Sequence, residues 1–400
     1  MTVSMKRLPS LRKAVWLNEP RLQEVMAVIT RGGGEVRVAG GAVRNALLGV
    51  PIADVDLATT MLPQDVMRVC KAAGFGVHPT GYEHGTVTVV NEAMPFEVTT
   101  LRRDVETDGR RAVVAFTTDW AEDAMRRDFT MNAMYCNAAG KIYDFTDGYV
   151  DLLRNRIRFV GDANMRIKED YLRILRFFRF HARFGIGAAD KVGLAACAKL
   201  KSGLKKISAE RIRQEIFKLL VAPRAVPTLK IMASSGVLKI IIPYTDDWRL
   251  IGRLPDDAVL RLYTLAEKPQ DLKDILRLSN IEAQRIEELA AAPYLSPQLK
   301  AQEQRAMLYH LGAQAWADSV ELSWAKGRAS KQDSRWQALL DLPKRWPVPK
   351  LPINGQDILE AGIASGPYMG EVLRSLEDWW VARDFVASRE ELLERLKNDA

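Results

Sequence analysis

The chain is poor in the residues that build several common kinds of protein. Only three of its 400 residues are cysteine, Cys70, Cys136 and Cys197, and none has CxxC or Cys/His ligand spacing. That spacing excludes a disulfide framework and a zinc site, and it fits a reducing cytoplasm. The histidines His78, His84, His181 and His310 form no cluster, which removes a histidine-based metal hydrolase. No run of 18 apolar residues occurs, so no membrane span is expected. Lys6, Arg12 and Lys13 lead into no apolar stretch, so no secretory leader is expected. Convincing Ser/His and Cys/His pairs are missing as well, which leaves no candidate for a protein nucleophile.

What is present describes a globular protein of several domains. Hydrophobic residues make up 48% and charged residues 27% of a 44.9 kDa chain, more than one ordinary core accommodates, and two to four domains are expected. The formal charge is +8 and unevenly placed, with 17 Lys and Arg against six Asp and Glu between Arg154 and Lys218. A basic stretch of that kind is a candidate surface for a polyanion, nucleic acid before others, or else a solvated helical face.

The most informative stretch runs from Val36 to Thr59. Val36 to Ala39 reads as a strand, Gly40-Gly41 as a turn, and Ala42 to Leu48 as a helix whose free N–H groups can hold an anionic oxygen. A dinucleotide-binding turn is the alternative, but Arg44 and Asn45 stand where its third glycine belongs. Asp54-Val-Asp56 follows. Carboxylates at i and i+2 of an extended segment share a side, and their mutual repulsion calls for cations. Hard oxygen donors suit Mg2+, which is commonly held by one or two carboxylates and by substrate phosphates. A phosphate-binding turn beside an acidic pair outlines a phosphoryl- or nucleotidyl-transfer site.

The rest of the first 150 residues mixes strand and helix signals. Pro63 to Ala73 reads as a helix stopped at Gly74. Thr86 to Val90 and Phe96 to Thr100 read as a β-hairpin around Asn91 to Pro95, with Glu97 either a third carboxylate facing the Asp pair or an outward-facing strand residue. Arg102 to Asp119 reads as a mobile polar excursion with a turn at Asp108-Gly109. Arg126, Arg127, Asp128 and Asn132 then place a phosphate clamp beside groups that bond a sugar hydroxyl, unless they are a salt-bridged helix N-terminus. From about Asp151 strand signals nearly vanish. Met165 to Phe180 reads as one long amphipathic helix carrying Asp170, Arg173, Arg176 and Arg179 at intervals of three. Ser208 is placed to N-cap a helix over Ala209 to Leu220. Breaks at Pro223, Pro243, Pro255, Pro293 and Pro297 and a linker from Pro343 to Pro352 separate further helices, with a last unit from Asn354 to Leu396.

With the Gly-Gly turn, the Asp pair, Arg-Arg-Asp and Glu-Asp-x-x-Arg in this order, the chain resembles the class II tRNA nucleotidyltransferases, the CCA-adding enzymes and their poly(A) polymerase relatives. The likeness is strong from Val36 to Leu220 and weaker over Asn354 to Leu359 and Gly366 to Leu373. It implies an α/β N-terminal nucleotidyltransferase domain with a small mixed sheet, followed by an all-α C-terminal half. The corresponding regions are a head at 20–150, a neck at 151–222, a body at 223–300 and a tail at 301–400. It implies that Asp54 and Asp56 bind Mg2+, with Glu97 a further candidate, and that Gly41 and Arg44 contact the triphosphate. Arg127 and Asp128 are then set against phosphate and ribose, and Arg176 and Arg179 reach the nucleotide. Asn45 departs from the Asp of the family pattern, outside the metal pair. Two metals about 3.5 to 4 Å apart would activate the RNA 3′-hydroxyl and stabilise the departing pyrophosphate.

Asp170 and Arg173 supply the base reader that the resemblance implies. Cytosine and adenine both present an amino donor beside a ring-nitrogen acceptor, and a fixed carboxylate and guanidinium match that order while leaving guanine and uracil unpaired. The expected activity is addition of C, C and A from CTP and ATP to the 3′ end of tRNA gripped by its acceptor arm. Poly(A) polymerases carry a basic signature before Arg-Arg-Asp that is missing from Leu101 to Phe116. CC-only members have a shortened segment where this chain has Arg102 to Asp119. A silent RNA-binding relative would have lost one of Asp54, Asp56, Arg127, Asp170 and Arg173. A small-molecule nucleotidyltransferase would need neither the basic helical half nor the base reader.

Overall fold

The computed structural model describes residues 8–108 and 111–399. They divide into two compact units, one of residues 8–243 with 275–277 and one of 244–274 with 278–399.

The first unit opens with α1 (Pro20–Arg31), β1 (Val36–Ala39) and α2 (Gly41–Leu48). It continues through β2 (Leu57–Thr59), α3 (Pro63–Ala72), β3 (Gly76–Gly81), β4 (Thr86–Asn91) and β5 (Met94–Thr100). Then come β6 (Arg102–Asp108), β7 (Arg111–Phe116), α4 (Trp120–Met125), β8 (Met134–Cys136) and β9 (Ile142–Asp144). Seven of the strands form a mixed sheet in the order β3-β4-β5-β2-β1-β8-β9, in which β2 and β5 run parallel and the other neighbours antiparallel. Pro79 is confined to the edge strand β3, where its missing N–H removes no central ladder bond. The alternation read in 86–100 is realised in β4, whose Val87 and Val89 are fully buried. The hairpin turns on Glu92 and Ala93, both at positive φ.

α1 covers the sheet with Leu22, Val25, Met26 and Ile29. A separate cluster of Ala39, Ala58, Leu101, Trp120, Ala133, Tyr135 and Val160 joins sheet residues to α4. The excursion expected from Arg102 to Asp119 is instead an antiparallel ribbon of β6 and β7. The polar composition of 102–108 hides this pairing from a reading by apolar alternation, and of the expected Asp108-Gly109 turn Gly109 lies outside the described residues. Strands β3, β8 and β9 were not legible, because Gly76–Gly81 holds two glycines and a proline and the other two are three residues long.

After β9 the unit is helical, with α5 (Gly148–Leu153), α6 (Ala163–Glu169), α7 (Leu172–Phe184), α8 (Lys191–Leu200) and α9 (Ala209–Leu220). The single helix expected over Met165 to Phe180 is broken. Asp170 leaves helical geometry at φ −151° and ψ 107°, and its Oδ1 accepts from the Leu172 N–H at 3.0 Å. An aspartate satisfies a free helix N–H better than it serves a helix interior, so the chain restarts there as α7. Ser208 occupies the N-cap of α9 but its side chain makes no capping bond. Phe129, Phe159, Phe177 and Phe180 interlock, with ring centroids 4.9 Å apart for Phe129 and Phe159 and 5.2 Å for Phe129 and Phe180. This aromatic wedge anchors α7 against the segment that follows Asp128.

The second unit is helical among its described residues, apart from an isolated bridge between Tyr244 and Ala266. Its longest element, Ala301–Lys326, bends at Gly312, where φ is 74°. The last unit expected from Asn354 to Leu396 has a core of Ile353, Ile358, Leu376, Trp380, Leu392 and Leu396, and Asn354 and Asp357 close a reciprocal capping box at the start of Gly355–Glu360.

Candidate active site

A cavity of about 430 Å³ opens in the first unit where the start of α2, the end of α4 and the α6–α7 break meet. The sequence-predicted residues Gly41, Arg44, Asp56, Arg127, Asp128, Asp170, Arg173 and Arg176 all line it. Gly40 supports the arrangement through its backbone. It lies at φ 63°, and a Cβ there would come within 3.1 Å of both Arg127 Nη1 and the Asn132 carbonyl. Glycine alone lets the turn and the Arg127 guanidinium approach so closely.

One wall is acidic. The Asp56 carbonyl accepts from the Ala39 N–H at 2.9 Å, which fixes the chain at the head of β2. In the parallel register Leu57 lies opposite Val98, so the preceding pair, Asp56 and Glu97, are cross-strand neighbours. Asp56 keeps a solvent-facing edge, yet desolvation raises its carboxyl pKa, and repulsion from Glu97 and Asp54 adds to the rise. Asp54 and Glu97 thus lie close enough to act on Asp56 without lining the cavity. Among the described residues no three acidic, histidine or cysteine side chains converge as a finished metal cage. A crowded carboxylate with open oxygen positions fits a hard divalent cation that completes its shell with water and phosphate.

The opposite wall is cationic. Arg126 and Arg127 stand at the C-terminus of α4, where the helix dipole favours positive charge, rather than at a helix N-terminus. Asp123, with a side chain 1% exposed, takes Arg126 at 2.8 Å and Arg127 at 3.1 Å. It also accepts from the Tyr135 hydroxyl at 2.6 Å. Burial works to raise the Asp123 pKa, but the charges of Arg127 and Arg126 outweigh it and hold the carboxyl below its ordinary range. Asp128 Oδ1 accepts from the Phe129 N–H at 2.8 Å and from Asn132 at 3.1 Å. Arg44 donates to the side-chain oxygens of Asn45 and Asn132, while Asn45 donates onward to the Pro51 carbonyl at 2.9 Å. The Asn45 amide therefore serves both ends of a local bridge, and an aspartate there would lack the donor.

Asp170 and Arg173 do not pair with each other's side chains. Arg211 of α9 holds Asp170 Oδ2 at 2.7 Å. Arg173 donates to Glu169 and, at 2.8 Å, to the Arg166 carbonyl. Arg173 is held through Nη1, and the two Asp170 oxygens, each accepting one hydrogen bond, keep further lone pairs for a ligand. Arg179 does not line the cavity but pairs with Glu215 at 2.6 Å. Arg126 of the expected phosphate clamp lines it too, and Phe180 and Arg211 line it without having been assigned a role from sequence. Arg211 and Glu215 are four apart on one helix and take Asp170 and Arg179 respectively, a spacing visible in the sequence once α9 is set against α6–α7.

Carboxylates facing guanidiniums across one cleft suit a polyphosphate accompanied by its cation, and with a Gly turn closing the sheet end they define a nucleotidyltransferase. The family comparisons narrow this further. Residues 36–158 match the poly A polymerase head domain, 190–249 the probable RNA and SrmB-binding site of polymerase A, and 258–396 the putative tRNA nucleotidyltransferase domain 2. CCA tRNA nucleotidyltransferase 1, mitochondrial, of Danio rerio is 36% identical over 379 residues, covering 90% of this chain and 87% of that one. The CCA-adding enzyme of Latilactobacillus sakei is 31% identical over 387 residues, covering 93% and 96%. The crystal structure of the Bacillus stearothermophilus CCA-adding enzyme in complex with CTP shares the fold with a TM-score of 0.81 and 28% identity over 95% of this chain and 97% of that chain. The chain belongs to the CCA-adding tRNA nucleotidyltransferase family.

Proposed function

We propose that this enzyme adds C, C and A in turn to the 3′ end of tRNA, taking CTP and ATP and releasing pyrophosphate. The observation that carries the reading is the single cleft in which Gly41, Arg44, Asp56, Arg127, Asp128, Asp170, Arg173 and Arg176 meet. In each addition the RNA 3′-oxygen bonds to the α-phosphorus, the bond from that phosphorus to the β-bridging oxygen breaks, and the hydroxyl proton is lost. Asp54 and Asp56, assisted by Glu97, would hold Mg2+, which when bound neutralises the triphosphate and favours ionisation of the 3′-hydroxyl. Arg44 and the N–H groups at the start of α2 take phosphate oxygens. Arg127, aimed by Asp123 and Tyr135, lies against phosphate, and Asp128 with Asn132 faces the ribose. Asp170 accepts from the amino group of cytosine or adenine while Arg173 donates to the adjoining ring nitrogen. Catalysis is then positioning and charge neutralisation.

By role, 20–150 forms the catalytic head, 151–222 the neck that carries the base reader, and 223–300 and 301–400 the body and tail that grip the tRNA acceptor arm largely through phosphates. Three buried, unpaired cysteines suit the cytoplasm, and no helix among the described residues is long and apolar enough to cross a membrane. The test is extension of a tRNA transcript lacking CCA, read at single-nucleotide resolution with each NTP singly and together. Arrest at three additions with CTP and ATP is the expected result. A long ATP ladder, or addition of A alone to a CC end, would assign a different product.

A further inference from the structure

α7 carries a cationic path that extends past the proposed nucleotide contacts. Phe180 and Phe184 stack with centroids 5.9 Å apart. Around them stand Arg44 at 4.5 Å from the Phe184 ring, Arg176 and Arg179 at 5.3 and 4.4 Å from Phe180, and Arg183 at 5.5 Å from Phe184. Arg176 and Arg179 are neutralised by Asp128 and Glu215. Among the described residues Arg44 is bonded only to neutral amides, and Arg183, exposed at the end of the row, forms no ion pair. Burial brings the Arg44 pKa down to about 10, with Arg179, Arg183 and Arg176 contributing repulsion against the opposing pull of Asp128. Two uncompensated guanidiniums near the Phe184 ring form an excess of positive charge that an anion relieves.

The direction of α7 says which anion. Arg173 at the base-reading end and Arg183 are ten residues apart, about 15 Å along the axis at 1.5 Å per residue. That span suits an extended nucleoside triphosphate from base edge to terminal phosphate. We propose that Arg183, with Arg44 also beside the Phe184 ring, forms a station for the outer phosphates of the incoming nucleotide and for the pyrophosphate that leaves. Arg183 donates to the leaving group as the phosphorus–oxygen bond breaks and hands it towards solvent. The station rests on the nucleotidyl-transfer reading above.

The experiment uses the full chain and inorganic pyrophosphate with Mg2+, by calorimetry and as a product inhibitor of tRNA extension. Arg183 is exposed, so Arg183→Ala is expected to fold as the wild type does. Its pyrophosphate affinity should fall about tenfold, the loss of one charge-assisted contact, with a matching rise in the inhibition constant, a smaller rise in KM for CTP and ATP, and no change in KM for tRNA. Arg183→Lys should recover part of the affinity. Unchanged pyrophosphate affinity overturns the station. So does a rise confined to KM for tRNA, which would place Arg183 on the RNA backbone. A wild type that binds pyrophosphate through Arg183 but extends no tRNA refutes the proposed function and leaves the station standing.

Discussion

Arg176 Nε donates to Asp128 Oδ2 at 2.7 Å across 48 residues of chain, and this bond ties α7 to the segment after α4 on the wall of the cavity. The Asp128 side chain is 10% exposed, so its charge is held by that partner, by Asn132 and by the Phe129 N–H.

The bond sets a pH dependence. Burial alone would raise the Asp128 pKa, but Arg176 and the hydrogen bonds outweigh it and hold the carboxyl below its usual value. A depressed folded pKa means the stabilisation is complete above about pH 4, the unfolded value, and is lost as pH falls through the lower folded one. Wild-type melting temperature should therefore drop below about pH 4. Asp128→Asn should begin lower, by about 3 kcal/mol for a broken part-buried pair, and fall less steeply. Parallel melting curves for the two proteins would contradict this.

Gly40 and Gly41 look alike in sequence and differ in the structure. Gly40→Ala would force a side chain into φ 63° and against Arg127 Nη1 and the Asn132 carbonyl. It should lose about 1–2 kcal/mol of stability and raise KM for CTP and ATP by displacing Arg127. A Cβ at Gly41 would meet nothing nearer than Arg44 Nη2, at 3.8 Å, so Gly41→Ala should melt with the wild type. Equal destabilisation of the two in thermal melts would show that the turn, not the Arg127 approach, sets the requirement.

Local chemistry was legible and partnership was not. Strand Val36–Ala39, the hairpin at 86–100 and helix Ala209–Leu220 follow from apolar patterning that acts over a few residues, although Ser208 makes no side-chain cap bond. The Gly turn and the Asp pair were readable for the same reason. Asp170 could be seen as a polar residue in an apolar pattern, but its part in ending α6 depends on a bond to the Leu172 N–H that competes with helix continuation. The grip of Arg211 on Asp170 and of Asp123 on Arg127 arises from packing, and the charges in the sequence suited several pairings.

Arg211 should act on base choice through Asp170. Without it the carboxylate keeps its bond to Leu172 N–H but loses the charge that fixes Oδ2. Arg211→Ala is expected to leave Mg2+-dependent extension measurable while lowering discrimination against UTP and GTP by about tenfold, roughly the worth of one charge-assisted hydrogen bond. Arg173→Ala should lower it at least as far, with tRNA affinity preserved. Selectivity equal to wild type in competition assays with either variant would remove the residue from base reading.

The acidic wall gives the sharpest separation of stability from function. Asp56 is crowded by its own desolvation, by Glu97 and by Asp54, so in metal-free buffer its charge opposes folding. Asp56→Asn removes that repulsion, and because solvent screens an exposed carboxylate it should leave melting unchanged or raise it slightly. Asp54→Ala and Asp56→Asn should each depress nucleotide addition by a factor on the order of 1,000, as expected when a cation that neutralises developing charge loses its ligand, while tRNA still binds. Mg2+ should raise the melting temperature of the wild type and not of Asp56→Asn, because a ligand that binds only the folded state stabilises it by mass action. Retained extension by either variant, or an equal Mg2+ response in both proteins, would show that this pair of carboxylates is not where the cation acts.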